Sequence, residues 1–560
     1  GLSNLRVCGY GNHYGNLYIR HNNSLADLSD LGNLEKVNGP VVISGNQGLL
    51  TLNGLNDLDS INGYFLIHDN PSLFDIAHLD SLKYIEDHLE IVNNDSLADI
   101  PGFEALHHIG FDHYYGDYSL LIQGNENLYD ISGFNNLQSI YQAPVYIRSN
   151  ASLSLISGFN NLVSVGNVLG IENNDSLADC SGFNSLVSIS YLIIRDNYTL
   201  EGLQGFDSVQ SMGSLKIENN TSFQDLDGLN SELTINDYIF ILSNENLQNI
   251  EGLAGIETIS FLTISENPAL MSLSGLDSLN YAYKIDIASN SSLNDIDGLS
   301  ALTEAAYIYI SGNENLEHVQ GLASLESLEV LKIIDNDRLD YLHGLDSLKT
   351  VSHQLEISDN DSLLNVQGLG ALEFVYNLII ENNASLNSLD GLDGNEGTIL
   401  ASLIIQSNEN LESLSGLDSL DLNEDMSTFI ISGNDLLSEC DVASICTYLV
   451  APSGTVDISN NDPGCNSVLE VLEECGLVNV REEEPSTIHL YPNPASELVY
   501  ITPIPGSEVM DFHLFDQLGK EISVTIDGFG RMDVSTLTPG LYLLVVNFKN
   551  ACIQEKLIIQ

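Results

Sequence analysis

The sequence predicts a mostly β chain: a right-handed parallel β-solenoid of about 19 coils, a disulfide-stapled cap, and then a small β-sandwich. Three observations carry this. A phrase of apolar, any, Ile, any, any, Asn recurs through the first 461 residues, with its asparagines at Asn22, Asn46, Asn70, Asn94, Asn125 and onward to Asn434 and Asn461. Most steps are 23 or 24 residues, a period that means stacked structural repeats and not a closed globule. After the last repeat, four of the seven cysteines cluster at Cys440, Cys446, Cys465 and Cys475.

One coil illustrates the logic. From Leu49 the apolar residues run Leu52, Leu55, Leu58, Ile61, Phe65 and Ile67, followed by Asn70 and Leu73. The Phe65-Leu66-Ile67 step has period two, a short strand sending alternate side chains inward. The three-residue steps suit corners that each send one side chain into the core. Stacked coils then pair their strands in parallel. At a corner, buried backbone N–H and C=O groups need partners, and an inward Asn amide offers both donor and acceptor. The asparagines are therefore structural, although several stand in Asn-x-Ser or Asn-x-Thr. A second column places Gly before Leu or Phe, as at Gly102, Gly133, Gly158 and Gly182, where a Cβ would obstruct a tight corner. Within that column Phe103, Phe134, Phe159, Phe183 and Phe206 predict an inward aromatic stack.

The domain reading follows: solenoid over 1–437, Cys-containing cap over 438–478, acidic linker over 479–487, sandwich over 488–560. Clustered cysteines at the end of an array indicate a stapled cap and an oxidising compartment. Three pairings are open, and Cys8, Cys180 and Cys552 are left over. The chain begins about half a coil before Asn22 without the apolar core of a signal peptide, which suggests a processed or truncated start. No run of 18 apolar residues announces a transmembrane helix.

Charge narrows the partners. With 79 acidic against 16 basic residues the formal charge is -63, so nucleic acid and anionic membranes are poor partners for most of the surface. Such self-repulsion favours salty surroundings or bound divalent cations, because screening shortens its reach to about 8–10 Å. Calcium is the one candidate cofactor, with chelation expected to lower the melting temperature.

The outward strand positions are where binding would show. Two residues before each Asn stand Arg20, Ser44, His68, Val92, Gln123, Arg148, Glu172, Arg195 and Glu218. Arg148, Glu172, Arg195 and Glu218 alternate in sign on consecutive coils, which predicts a salt-bridge ladder or, alternatively, an Arg pair gripping an acidic sugar or carboxylate. The column after the first strand residue contains Tyr18, Val42, Leu66, Tyr146, Ile193, Phe240, Tyr309, Ile379, Ile404 and Ile430, an apolar stripe expected to be exposed as a contact surface. One interval departs from the period: Asn94 to Asn125 is 31 residues. Its extra segment holds His107, His108, His113, Tyr114, Tyr115 and Tyr118, residues suited to sugar or protein contact, or less specifically to metal. The candidate binding set is Tyr18, Arg20, Tyr146, Arg148, Arg195, Phe240, Tyr309, His113, Tyr114, Tyr115 and Tyr118. No nucleophile elbow, phosphate loop, HExxH or Cys-x-x-Cys occurs, and coils of minimum length leave few loops to wall a cleft. No catalytic residue is assigned and the chain is not expected to be an enzyme.

The phrase LxIxxNxSLxxIxGLxxLxxI resembles the leucine-rich L domains of growth-factor receptors and fungal cell-wall proteins, and still more the secreted leucine-rich-repeat proteins of Bacteroidetes-type bacteria. It departs from the commoner leucine-rich repeat in having two residues between Asn and Leu, as in Asn94-Asp95-Ser96-Leu97. The resemblance covers roughly residues 10–478 and implies fold far more than ligand.

The C-terminus carries Leu490-Tyr491-Pro492-Asn493-Pro494-Ala495, then Phe515-Asp516-Gln517-Leu518-Gly519-Lys520, then Leu537-Thr538-Pro539-Gly540-Leu541-Tyr542, and a late Lys556. This order is similar to the type A C-terminal sorting domain of the type IX secretion system, whose Ig-like sandwich implies export across the outer membrane. It also implies contact with that secretion machinery, removal of the domain, and attachment to surface lipopolysaccharide. The expected protein is exported to the bacterial surface, its solenoid recognising a protein or glycan. The alternatives are a self-assembling filament or surface-layer subunit and, third, a polysaccharide-active enzyme.

Overall fold

A computed structural model describes all residues except 1, 10–14, 111–117, 141–142, 395–396, 479–487, 503–508, 528–530 and 549–550. The chain divides into two compact units, Gly1–Val471 and Leu472–Gln560. The first is the solenoid. In the coil beginning at Leu49, the side chains of Leu49, Leu52, Leu55, Leu58, Ile61, Phe65 and Ile67 are all fully buried. Each corner therefore delivers one apolar group to a continuous core. The strand Phe65–His68 alternates buried and half-buried residues and pairs in parallel on both sides, Val41↔Phe65 and Phe65↔Leu89. That ladder continues without a break from Leu17–Arg20 to Thr455–Ser459.

A second, five-stranded sheet of two-residue strands lines the early coils, from Val7–Cys8 to His108–Ile109. From Ser164–Glu172 onward the two strand positions of most coils fuse into one strand of eight or nine residues. The sequence between them explains the change. Asn38-Gly39-Pro40 and Ala143-Pro144 interrupt the early coils, and proline removes a ladder donor. Ser188–Arg195, reading SISYLIIR, contains no such break.

The asparagines form one hydrogen-bonded line through the core. Asn70 Nδ2 donates to Ile43 O at 3.0 Å in the preceding coil, to His68 O at 2.9 Å in its own, and to Asn94 Oδ1 at 3.1 Å in the next. The Asn70 backbone N–H also donates to Asn94 Oδ1, at 3.2 Å. The same pattern repeats to the last rung. There Asn461 turns its N–H to Asn466 Oδ1 at 3.3 Å and its Nδ2 to Cys465 O at 2.8 Å, which closes the line. The cap adds helix α1 (Ala443–Tyr448) and helix α2 (Val468–Glu474). Cys440 and Cys465 form a disulfide with Cα atoms 5.6 Å apart; Cys446 and Cys475 are also disulfide-bonded. Of the remaining cysteines, Cys180 is buried, and that burial pushes its thiol up to about 12.

Two further columns complete the corner. Every residue immediately before a ladder Asn has positive φ, from His21 at 55° through Asp69 at 54° and Gly124 at 65° to Asn460 at 57°. Five residues after the Asn, an Asx-type side chain often caps the next turn: Asp75 accepts from Ala77 N at 2.9 Å and Asp179 from Ser181 N at 2.6 Å. The five phenylalanines stack as the sequence predicts, with centroid spacings of 4.9, 5.0, 5.4 and 5.6 Å. The preceding glycines let coils close: a Cβ on Gly158 would lie 2.0 Å from Gly133 O.

The second unit has a three-stranded antiparallel sheet of His489–Tyr491, Leu498–Thr502 and Arg531–Asp533. A four-stranded antiparallel sheet contains Val509–Phe515, Glu521–Ile522, Gly540–Phe548 and Ala551–Ile559. Val499, Leu514, Met532, Val534, Leu544 and Leu557 form their shared core.

Candidate functional site

Alternation along the last four residues of each ladder strand sends the second and fourth of them outward, together with the residue before those four. The stripe expected to be exposed is mostly half-buried. Tyr18 is exposed, but Val42 is buried, and Leu66, Tyr146, Ile193, Phe240, Tyr309, Ile379, Ile404 and Ile430 lie between. Coils about 4.8 Å apart leave each side chain flanked by those above and below. The face is a packed surface with its outer edges in solvent.

Its aromatic content is concentrated. Tyr238 stacks on Phe240 at 5.7 Å and on Phe261 at 5.2 Å; Phe261 meets Tyr283 edge to face at 5.6 Å, and Tyr283 meets Tyr307 at 5.4 Å. Lys284 lies 4.6 Å from the centre of the Tyr309 ring. Nearer the N-terminus, Arg20 lies 4.6 Å over Tyr18, and Tyr64 stacks on His88 at 5.2 Å. Beside them Glu90 receives His68 Nε2 at 3.0 Å and His88 Nε2 at 3.5 Å. The His68 contact holds the Glu90 carboxyl below its ordinary range, against the opposing effect of burial.

The salt-bridge ladder forms in part. Arg195 joins Glu172 at 3.0 Å and Glu218 at 3.9 Å, and Lys216 joins Glu218 at 2.8 Å. Arg148 does not take part, although it is in register with Glu172. Its Nε donates to Gln123 Oε1 at 2.6 Å and its Nη2 to Tyr118 Oη at 3.0 Å. The guanidinium lies 5.2 Å from the ring centres of both Tyr118 and Tyr146, which are themselves perpendicular. A ladder read from alternating signs thus loses its first link to a neutral amide and two phenol rings.

The long interval divides. His113, Tyr114 and Tyr115 lie outside the described residues, while Tyr118 contacts Arg148 as above. His107 is exposed; His108 stacks on Tyr84 at 5.0 Å, and burial lowers its pKa. The described residues contain no group of three or more His, Cys, Asp or Glu able to hold a metal ion. An open groove of about 740 Å³ lies beside the short-strand sheet, lined by Glu35, Lys36, Asp57, Asp59, Asp80 and Lys83. Lys83 pairs with Asp59 at 2.7 Å there.

In the second unit the sorting-motif residues prove to be joints. Asn493 Nδ2 donates to Lys556 O at 2.6 Å and its Oδ1 accepts from Ile558 N at 2.8 Å, clasping the last strand. The peptide bonds before Pro492 and Pro494, on either side of it, are cis. Asp516 Oδ1 accepts from Leu518 N at 2.9 Å and Lys520 N at 3.0 Å, and Gly519 takes φ 73°, so the two residues make one hairpin turn. Tyr542 Oη donates to Thr538 O at 2.8 Å, tying the loop before Gly540. Tyr491 and Lys556 are exposed.

Residues 489–560 match the family described as the secretion system C-terminal sorting domain. The C-terminal unit carries the sorting signal of the type IX secretion system. The protein is accordingly secreted across the outer membrane, to the cell surface or beyond, and engages the secretion machinery. Residues 73–164 match the Receptor L domain family, consistent with the solenoid and with a recognition module. No curated protein matches the chain. No helix among the described residues is long and apolar enough to cross a membrane.

Proposed function

We propose that the solenoid is a non-enzymatic adhesion module that holds a protein or glycan partner against its parallel strand face. The observation that carries this reading is where the charge is absent. Across the three outward columns the basic residues are Arg20, Arg148, Arg195, Lys216, Lys284 and Lys332; the acidic ones are Glu90, Glu172, Glu218, Asp286, Glu356, Glu381 and Asp457. Those columns are close to neutral in a chain at -63, so the self-repelling charge lies elsewhere and this face can be approached closely. Its aromatic side chains run from Tyr18 to Tyr309. The last six strands, from Val330 onward, carry none in these columns and only Tyr376 one position before them, so the contact zone lies in the coils farther in sequence from the sorting signal.

A subunit of a filament or surface layer is the second reading. The cap weighs against coil-on-coil stacking, because Asn461 already spends its donors on Asn466 and Cys465. The test is direct imaging and mass measurement of the purified exported chain, with binding to glycan and cell-surface protein arrays. Discrete particles that bind a partner support the proposal. Ordered polymers in the absence of any partner overturn it.

A further inference from the structure

Arg148 is out of place in this surface. On the same face Arg195, Lys216, Lys284 and Lys332 each have a carboxylate within ion-pair distance, at 3.0, 2.8, 3.3 and 2.7 Å. Among the described residues Arg148 has none, and neither has Arg20, which lies over Tyr18, in a chain with 79 acidic side chains. Three neighbours keep Arg148 so. Gln123, in register with it one coil earlier, supplies a neutral acceptor where a carboxylate would have neutralised it. Tyr118 turns the guanidinium towards the preceding coil by accepting from Nη2. Gly170, in register with Tyr146 one coil later, leaves room for that ring to lean across: a Cβ there would lie 2.4 Å from two of its carbons. Two donors of the guanidinium fork are used by these bonds, and three remain.

We infer that Arg148 receives the carboxylate of an acidic sugar, a uronic-acid-type residue of a glycan, whose ring lies against the perpendicular Tyr118 and Tyr146. This rests on the strand face being the recognition surface and goes beyond it by naming the partner's chemistry. A planar fork with free N–H groups matches a carboxylate. The aromatic corner matches the C–H faces of a pyranose, and its phenols offer hydroxyl partners. The partner's charge is limited by the surroundings. Glu172 sits on the next coil and Glu90 is close enough to feel Arg148, so a second negative charge on the ligand is repelled. One sugar carboxylate satisfies that limit; a phosphate dianion or an acidic peptide does not.

The test titrates the full exported chain with three probes: an oligosaccharide ending in one glucuronate, the same oligosaccharide with that carboxyl reduced to the alcohol, and a glutamate-rich tetrapeptide. The expected result is that the acidic sugar binds at least tenfold tighter than its reduced counterpart. Arg148→Gln should erase that preference, bringing the acidic sugar down to the affinity of its reduced counterpart, and Arg148→Lys should retain part of it. The comparison of the two sugars needs no variant, so it stands even where a substitution disturbs folding. Equal binding of the two sugars, no binding of the acidic one at millimolar concentration, or a tetrapeptide that binds as tightly overturns the inference. Thr263 lies on the strand face within Thr258–Ser265, in register with Phe240 and away from Arg148; if the sugars bind alike and both are lost on Thr263→Glu, this inference falls while the strand-face reading survives. If no partner touches the strand face, both fall.

Discussion

Replacing one buried ladder asparagine should cost more than any other single polar change in the solenoid. At Asn267, Nδ2 donates to Ile241 O at 3.0 Å, Ser265 O at 2.9 Å and Asn290 Oδ1 at 3.2 Å. Its Oδ1 accepts the Asn244 N–H at 3.0 Å and Asn244 Nδ2 at 3.2 Å. Asn267→Ala deletes these bonds, leaves the Asn244 N–H without an acceptor in a dry core and takes the side-chain donor from the buried Ile241 O, while Asn244 Nδ2 keeps Ile217 O and Leu242 O. Each orphaned buried group costs about 1–3 kcal/mol, giving about 2–6 kcal/mol in all. The loss falls on the contact between adjacent coils, which is the unit of cohesion in a repeat array. Asn22, exposed at the first rung, makes only two side-chain bonds, at 3.0 and 3.2 Å, so Asn22→Ala should cost below about 1 kcal/mol. Urea unfolding of the two variants beside the parent separates them: the midpoint should fall steeply for the first and barely move for the second. Equal costs at the two positions would refute the claim that the buried line, and not the asparagine type as such, holds the coils.

Gly158→Ala should destabilise by more than about 2 kcal/mol, since its Cβ would sit 2.0 Å from Gly133 O; a thermal melt within two degrees of the parent would contradict this. Removing the Cys440–Cys465 bridge, which spans 25 residues, should cost about 3 kcal/mol, read as a lowered denaturation midpoint in the Cys440→Ser, Cys465→Ser double variant. Glu90 titrates below its ordinary range when folded, so its contribution is present above the unfolded pKa of about 4.3 and is lost as pH falls through the folded value. Glu90→Gln should therefore flatten the acid limb of stability below about pH 5, and an unchanged limb would contradict that assignment. Asn493→Ala should release the clasp on the final strand and lower the exported fraction severalfold, measured by immunoblot of cells against medium; undiminished export would show that the clasp is dispensable.

The repeat was readable because its core positions are local: a two-residue alternation, an amide at a fixed offset, a glycine at the next corner. The left-handed residue before each Asn was equally written, since Asp69, Asn93, Asp196 and Asn219 belong to the few types that tolerate positive φ. The signal is uneven, because Glu266 at 58° does not advertise it. The position five residues after the Asn, often Asp, Asn or Ser, likewise belongs to the turn chemistry, as Asp75 and Asp179 show. Other features depend on neighbouring coils. Arg148 leaves the salt-bridge ladder because of Gln123 and Tyr118 on one side and Gly170 on the other. The apolar stripe is half-covered because its members flank one another. Neither follows from a column read alone.

We propose that the outward strand face, and no corner column, meets the partner. Hydroxyl-radical footprinting of the exported chain, free and with an array-identified partner, tests it directly. Protection is expected at Tyr118, Tyr146, Tyr238 and Tyr283, with no change at Phe74, Tyr129 and Met271, exposed corner residues that each stand four positions after a ladder Asn. Protection confined to those corner residues, with the strand-face tyrosines unaltered, would contradict it.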